Sequence, residues 1–232
     1  MSLTAVITGI FKKYLFFTVI ILIHELGHFT AGTVLCWKVD KIYIYPYGGC
    51  TKFLDGFNKS LFEELIILVM GPMFQIIFYF IVSRYLNYND FIVFRNYNYA
   101  ILCFNLLPIY PLDGGKLLNI LLSFNLSFKK GFLLSIYISI IVFIFVFVKS
   151  NSILFYIILI FLFCKIIEEY GKLKFYYNKF LLERYMYPTK YKNMKVIKNI
   201  NNFYRNKKHV IKYENKYLTE KEALKKIFNP KV

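Results

Sequence analysis

Residues 21–32 read ILIHELGHFTAG, so two histidines and a glutamate interrupt an otherwise apolar sequence. The apolar sequence runs from Tyr14 to Leu35, which is long enough for a helix to cross a lipid bilayer. An ionisable side chain near the centre of a bilayer costs about 2.5–3.5 kcal/mol. We therefore expect His24, Glu25 and His28 to have a role that offsets this cost.

The composition of the whole chain is that of a membrane protein. Of its 232 residues, 58% are hydrophobic and 21% are aromatic, and the mean hydropathy is +0.48. Such values exceed those of soluble globular domains. Besides Tyr14–Leu35, four further apolar stretches occupy residues 61–86, 91–107, 131–148 and 152–167. We predict an all-α polytopic membrane protein with five to six transmembrane helices.

The formal net charge of +17 is concentrated after the last apolar stretch. From Ile166 to the end, the sequence contains 17 Lys and Arg residues but only 6 Asp and Glu residues. A basic tail that follows a membrane span predicts a cytoplasmic segment in contact with the anionic lipid bilayer. No nucleic-acid reader module accompanies the charge, so no nucleic acid is expected as a partner. The same rule places the connections 36–60 and 108–130 on the cytoplasmic side, because both are rich in lysine.

Two connecting segments predict structure outside the spans. Residues 39–53, VDKIYIYPYGGCTKF, alternate in polarity around a proline and two glycines, which predicts a β-hairpin at the membrane interface. Residues 208–228 predict a strand, a turn, a strand and a helix capped by Thr219. We expect a transmembrane domain over residues 1–170, a linker helix over 171–187 and a small cytosolic α+β tail over 188–232.

The motif H-E-x-x-H places two imidazoles on one face of a helix with a carboxylate between them. His24 and His28 are four residues apart, and this spacing suits two nitrogen ligands to one zinc ion. Glu25 would then act as the general base for the metal-bound water. The alternative is a chance occurrence, but the chain has only three histidines and two of them stand in this motif.

A catalytic zinc usually has three protein ligands and one open position. His209 lies in the polar tail, where it is expected to be an ordinary surface residue. Asp113 is the better candidate for the third ligand, since it stands in residues 104–118, FNLLPIYPLDGGKLL, immediately after an apolar stretch. The alternative is that Asp113 caps a helix or stabilises a turn, as aspartates after prolines often do.

The two motifs together, HELGH and NLLPIYPLDGG, resemble those of the site-two protease family of intramembrane zinc metalloproteases. Within the family, the chain is most similar to the branch that processes a pro-sigma-K transcription factor during sporulation. The resemblance extends from about Tyr14 to about Tyr187, through YPYGG, GPMFQ and EEYGK. It implies an integral membrane protein of an endospore-forming bacterium, whose active site opens toward the cytoplasm.

The resemblance also implies roles for individual residues. It assigns one zinc ion per chain to His24, His28 and Asp113, with Glu25 as the general base. Asn105 matches a family asparagine that contacts substrate or stabilises the oxyanion, although a helix–helix hydrogen bond explains it equally well. Gly48 and Gly49 match the family loop that lies beside the substrate. Pro111 matches the proline that shapes the turn before the aspartate.

Two features depart from the family branch. A first span precedes the H-E-x-x-H helix in that branch, whereas residues 1–13 are too short to cross a bilayer. The branch also has a cytosolic CBS domain that binds ATP, and residues 188–232 resemble only a shortened version. The shortened tail gives no basis for expecting ATP binding.

The resemblance implies a membrane-associated protein substrate, a pro-sigma factor, and inhibitory membrane proteins as regulators. The first alternative is a general site-two protease that releases an anti-sigma factor. No PDZ-like insertion is visible between the apolar stretches, which disfavours this alternative. A metal transporter is the second, but inverted repeats are not apparent. An inactive membrane scaffold is the third, and it would need neither the ligands nor the base.

Overall fold

The computed structural model describes residues 11–45, 48–53, 57–150, 152–187, 191, 193–213 and 216–228. The described elements are helices joined by short connections, one hairpin and a small sheet near the C-terminus. In chain order they are α1 (Phe11–Val34), β1 (Val39–Tyr45), β2 (Gly48–Phe53), α2 (Leu61–Val82), α3 (Tyr88–Asn105), α4 (Asp113–Asn125), α5 (Phe128–Lys149), α6 (Ile153–Met186), β3 (Met194–Ile197), a 3-10 turn (Ile200–Asn202), β4 (Lys208–Tyr213), β5 (Lys216–Thr219) and α7 (Glu220–Phe228).

The helical character predicted from the sequence is confirmed. Among the described residues, three helices are long and apolar enough to cross a membrane, namely α1, α2 and α5. The count of five to six spans therefore stays a prediction. The truncated first span expected over residues 1–13 lies mostly outside the described residues, which begin at Phe11.

The chain separates into two compact units. The first contains Met1–Asp55 and Leu65–Leu107, and thus α1, the hairpin, most of α2 and α3. In its core, Ile20 and Ile21 of α1 are buried with Phe94 and Ile101 of α3. The ring of Phe16 meets the ring of Phe94 edge to face, with 5.6 Å between the ring centroids. Aromatic and branched side chains thus fix α1 against α3.

The hairpin predicted within residues 39–53 is present. Strands β1 and β2 pair in antiparallel fashion, with Tyr45 opposite Gly48 and Ile44 opposite Gly49. The register is irregular between Val39 and Lys41. The placement of the hairpin at a membrane interface stays a prediction.

The second unit contains Gly56–Glu64 and Pro108–Val232. Helices α4 and α5 are joined by a hydrogen bond in which Asn119 Nδ2 donates to Ser135 Oγ at 3.3 Å. Helix α6 is continuous over 34 residues and is therefore about 50 Å long, which exceeds the roughly 30 Å of a hydrocarbon core. The apolar stretch 152–167 and the polar helix expected after it thus form one helix. The predicted division at residues 170 and 187 stays a prediction.

The tail has a three-stranded sheet in the order β3–β4–β5, with β3 parallel to β4 and β4 antiparallel to β5. The two strands and the helix predicted over residues 208–228 are confirmed, whereas β3 was not predicted. The predicted turn at residues 214–215 lies outside the described residues. Thr219 caps α7 as expected: the Glu222 N–H donates to Thr219 Oγ1 at 3.4 Å, and the Thr219 N–H donates to Glu222 Oε2 at 2.8 Å. This reciprocal pair is a capping box.

The sheet of the tail packs on the second half of α6 and the start of α5. The shared core comprises Phe128, Tyr177, Phe180, Leu181, Ile197, Phe203, Ile211, Ala223 and Leu224. Polar contacts hold the same surfaces together. The Phe128 N–H donates to the Phe203 carbonyl at 2.9 Å, and Arg205 pairs with Glu64 at 2.5 Å. The resemblance of the tail to a shortened CBS domain stays a prediction.

The expectation that His209 lies on the surface is wrong. Its side chain is buried beside Phe203, with 4.4 Å between the ring centroids. Burial lowers the pKa of His209, and its neutral Nε2 accepts the N–H of Tyr204 at 2.9 Å. Glu220 accepts the His209 backbone N–H at 3.1 Å and also pairs with the buried Arg184. Tertiary packing of the tail therefore buries a histidine whose sequence neighbours are polar.

Candidate active site

The H-E-x-x-H residues of α1 converge at one buried point of the first unit. His24, Glu25 and His28 are exposed by only 1%, 5% and 4%. Their potential ligand atoms all lie within 4.8 Å of one another, and Nε2 of His24 is 3.1 Å from Nε2 of His28. Two nitrogens bound tetrahedrally to zinc at 2.0–2.1 Å would be about 3.3 Å apart. The observed spacing therefore suits one shared zinc ion.

The hydrogen bonds around the imidazoles assign their tautomers. His28 Nδ1 lies 2.8 Å from the carbonyl oxygen of Ile67, and His24 Nδ1 lies 2.9 Å from Oε1 of Gln75. Because both oxygens can only accept, each Nδ1 must carry the proton. In neutral imidazoles the two Nε2 atoms then present lone pairs to each other. Two such acceptors repel at 3.1 Å, and a cation between them removes the repulsion.

The orientation of the Gln75 amide is itself determined by Asn98 of α3. Gln75 Nε2 donates to the main-chain carbonyl of Asn98 at 2.8 Å and to its Oδ1 at 3.2 Å. A carbonyl oxygen cannot donate, so the amide nitrogen must face Asn98 and the amide oxygen must face His24. The buried network His24–Gln75–Asn98 thus connects α1, α2 and α3.

Two glycines allow α1 and α2 to approach closely beside the imidazoles. A Cβ atom added to Gly27 would lie 2.4 Å from the carbonyl oxygen of Met70. A Cβ atom added to Gly71 would lie 2.4 Å from Cε1 and Nε2 of His28. Close packing at these positions therefore fixes where the ring of His28 lies.

We expect Gly71→Ala to displace the His28 ring and to lower zinc affinity together with any peptidase activity. The new methyl group would overlap Cε1 and Nε2 of His28, of which Nε2 is the candidate ligand atom, so the effect on the site should exceed the effect on folding. Zinc content after purification measures the first effect, and thermal unfolding in the presence of a chelator measures the second.

Gly171→Ala is the matched control, because a Cβ atom there meets nothing within 4 Å and the residue lies inside α6. Alanine stabilises a helix interior by up to about 1 kcal/mol relative to glycine, so this variant should keep full zinc content. Equal zinc binding by Gly71→Ala and the native chain would contradict the assigned close contact.

Asp113 is the first residue of α4 in the second unit, and the N-cap position belongs to Leu112. The capping alternative considered for Asp113 therefore does not match the observed helix start. Its carboxylate accepts from Lys116 Nζ at 3.2 Å. A Cβ atom on Gly115 would lie 2.6 Å from the backbone of Ile109 and Tyr110, so this glycine packs the first turn of α4 against the preceding turn. The assignment of Asp113 as third zinc ligand stays a prediction.

The other residues singled out in the sequence lie at the ends of elements. Asn105 is the last residue of α3, where it is half-buried, and Gly48 and Gly49 begin β2. The substrate-contact and helix-packing interpretations of Asn105 both stay open. The roles of Gln75 and Asn98 were not predicted from the sequence. Gln75 is the one amide side chain of residues 61–86, where a polar group is costly without a partner. Residues 91–107 contain three asparagines, Asn96, Asn98 and Asn105, so their sequence does not single out Asn98.

The donor set fits zinc. Two neutral imidazoles with outer hydrogen bonds to carbonyl oxygens are typical zinc ligands, and the outer bonds fix the rings for ligation. A carboxylate beside them suits general-base chemistry. These residues could hold a metal ion and activate a water molecule next to it.

Comparisons with known proteins agree with this geometry. The profile of peptidase family M50 matches residues 13–89. Stage IV sporulation protein FB of Bacillus subtilis is 32% identical over 189 residues, which are 77% of this chain and 66% of that protein. A zinc metalloprotease of Methanocaldococcus jannaschii is 31% identical over 118 residues, which are 47% of this chain and 34% of that protein.

The solved structure of the site-2 protease from Methanocaldococcus jannaschii resembles the fold with a TM-score of 0.54 and 26% identity. The match covers 68% of this chain and 77% of that structure. This chain thus spans slightly less than two thirds of the Bacillus protein's length and about a third of the archaeal metalloprotease's length. The buried H-E-x-x-H site, the family profile and the shared fold lead to one conclusion: the chain contains a domain of peptidase family M50, the site-2 proteases.

Proposed function

We propose that the chain is an intramembrane zinc endopeptidase that hydrolyses a peptide bond in a membrane-associated protein precursor. The observation that carries this proposal is the pair of Nε2 atoms, 3.1 Å apart, beside the buried carboxylate of Glu25. A metal-binding role alone would explain the imidazoles but not a carboxylate that follows the first of them. The family membership supports peptide hydrolysis as the reaction.

Each of the proposed site residues has its own role in the reaction. His24, His28 and Asp113 would hold the zinc ion, which when bound supplies Lewis acidity that activates water and polarises the scissile carbonyl. Glu25 accepts a proton from the attacking water as its oxygen bonds to the carbonyl carbon. Glu25 then returns the proton to the amide nitrogen as the C–N bond breaks, so that a carboxylate and an amine leave. Asn105 is proposed to contact the substrate near the cleaved bond.

A site at membrane depth places two demands on the reaction. The scissile segment must be unwound, because a helix engages its carbonyl groups in hydrogen bonds within its own backbone. Water must also reach the carboxylate of Glu25, which is 5% exposed. We propose that the substrate segment and the water both enter from the cytoplasmic side. The basic tail and the positive-inside rule support this orientation.

The proposed substrate is a pro-sigma factor of the pro-sigma-K type, processed in a sporulating bacterium. The similarity to stage IV sporulation protein FB supports this choice. Inhibitory membrane proteins are proposed as regulators, by the family resemblance. The bilayer is the proposed location of the apolar helices α1, α2 and α5, and we propose a cytoplasmic tail.

Co-expression in a bacterial host tests the substrate. One culture carries a pro-sigma-K-type precursor and a second carries a membrane-anchored anti-sigma factor, each with the native chain or with Glu25→Gln. We expect the precursor to be shortened only by the native chain and the anti-sigma factor to remain intact. If only the anti-sigma factor is cleaved, the substrate is an anti-sigma factor and the proposed pro-sigma substrate is wrong. If neither protein is cleaved, neither substrate is supported.

A further inference from the structure

We propose that Gln75 is a positioning residue for the metal site, and that Asn98 holds Gln75 in its working orientation. The two residues come from different helices of the first unit, α2 and α3. The inference rests on the proposed zinc site and adds a side-chain network that determines how His24 presents its ligating nitrogen.

Gln75 is fully buried, and its amide contacts both His24 and Asn98. Its Oε1 accepts from His24 Nδ1 at 2.9 Å, and its Nε2 donates to the main-chain carbonyl and Oδ1 of Asn98. A buried amide left without partners costs about 1–3 kcal/mol. Polar groups of this kind in an apolar helix are therefore kept in one orientation, which makes them suitable for fixing a neighbouring ring.

The two imidazoles differ in what holds them. The Nδ1–H of His28 is bound by the main-chain carbonyl of Ile67, a partner that no side-chain substitution removes. The Nδ1–H of His24 is bound by the Gln75 side chain. The orientation of His24 thus depends on the identity of residue 75, whereas the orientation of His28 depends on the position of α2.

Asn98 determines which end of the Gln75 amide faces His24. If the amide rotated by half a turn, its NH₂ group would point at His24 and would require Nδ1 to accept. The proton would then move to Nε2, and that nitrogen could no longer bind a metal. The Asn98 carbonyl and Oδ1 both oppose the rotation, and removal of the Asn98 side chain leaves only the main-chain carbonyl.

The test compares zinc affinity among four variants, each built on Glu25→Gln in the full chain in detergent. Gln75→Met keeps the length of the side chain and removes the acceptor, whereas Gln75→Glu keeps an oxygen for His24. Asn98→Leu is paired with Asn96→Leu, the same change at an exposed position of the same helix. Competition with a chelator gives the affinity, and the visible spectrum of the cobalt(II) form reports the geometry of the ligands.

Removal of the side chain that hydrogen-bonds a metal-ligating histidine lowers metal affinity by about 10–100-fold. We expect a loss near 100-fold for Gln75→Met, near tenfold for Asn98→Leu and little change for Asn96→Leu. Gln75→Glu keeps the acceptor for His24 but loses the donor to Asn98, so its loss should be clearly smaller than that of Gln75→Met. The cobalt spectrum should change in Gln75→Met and Asn98→Leu and stay unchanged in Asn96→Leu. If Gln75→Met is not recovered in a folded form, Asn98→Leu and its control decide the question.

The inference is overturned if Gln75→Met binds zinc as tightly as the parent, or if Gln75→Glu loses as much affinity as Gln75→Met. It is also overturned if Asn96→Leu weakens binding as much as Asn98→Leu, because the effect would then belong to the helix. These measurements need no substrate. Failure of the native chain to cleave any precursor would thus refute the proposed function alone, whereas failure to bind zinc at all would refute both.

Discussion

Replacing Glu25 with glutamine should abolish cleavage of the precursor and leave zinc bound. The glutamine keeps the size of the side chain but cannot accept the proton of the attacking water. Removal of a general base lowers rates by about 10²–10⁴-fold. The cleavage rate with a reconstituted substrate and the zinc content of the same preparation are the two measurements.

Glu63→Gln is the matched control for this prediction, since it makes the same chemical change in the first turn of α2, outside the H-E-x-x-H group. We expect this variant to cleave at a rate close to that of the native chain. Retained cleavage by Glu25→Gln would contradict the role assigned to the carboxylate. Loss of both zinc and cleavage would show that Glu25 supports metal binding instead.

Replacing Asp113 with asparagine should remove most of the bound zinc and, with it, the activity. Asparagine has a similar shape but no negative charge, so it is a much weaker ligand for a divalent cation. We expect zinc affinity to fall by more than the roughly 100-fold that loss of an outer partner can cause. Chelator competition measures the fall.

Asp90→Asn provides the comparison, because Asp90 is an aspartate of α3 that pairs with Lys12 at 2.6 Å. That variant should bind zinc as the native chain does. Undiminished zinc binding by Asp113→Asn would contradict the ligand role proposed for Asp113, and a different third ligand would have to be sought.

The sequence was sufficient to predict the features that depend on local spacing. The pairing of His24 with His28 follows from the helical repeat, and the cap at Thr219 follows from the glutamate three residues later. The hairpin follows from an alternating pattern broken by turn residues. In each case the partners are near one another in the chain, so a short window contains the whole signal.

Features that depend on contacts distant in the chain were missed. His24 and Gln75 are 51 positions apart, and nothing near either residue indicates the other. His209 stands among polar neighbours, yet the packing of the tail on α6 buries it against Arg184 and Glu220. The proposed ligand role of Asp113 also depends on where the start of α4 lies in space. It was predicted from the need for a third ligand and from the family resemblance, and it stays a prediction.

Anomalous diffraction at the zinc absorption edge, from crystals of the Glu25→Gln chain, would show whether one ion is shared by the three proposed ligands. We predict one peak per chain, 2.0–2.1 Å from Nε2 of His24 and of His28 and about 2.0–2.2 Å from a carboxylate oxygen of Asp113. A peak bound to other residues, or a peak on the histidine pair with the Asp113 carboxylate out of bonding range, would contradict the account.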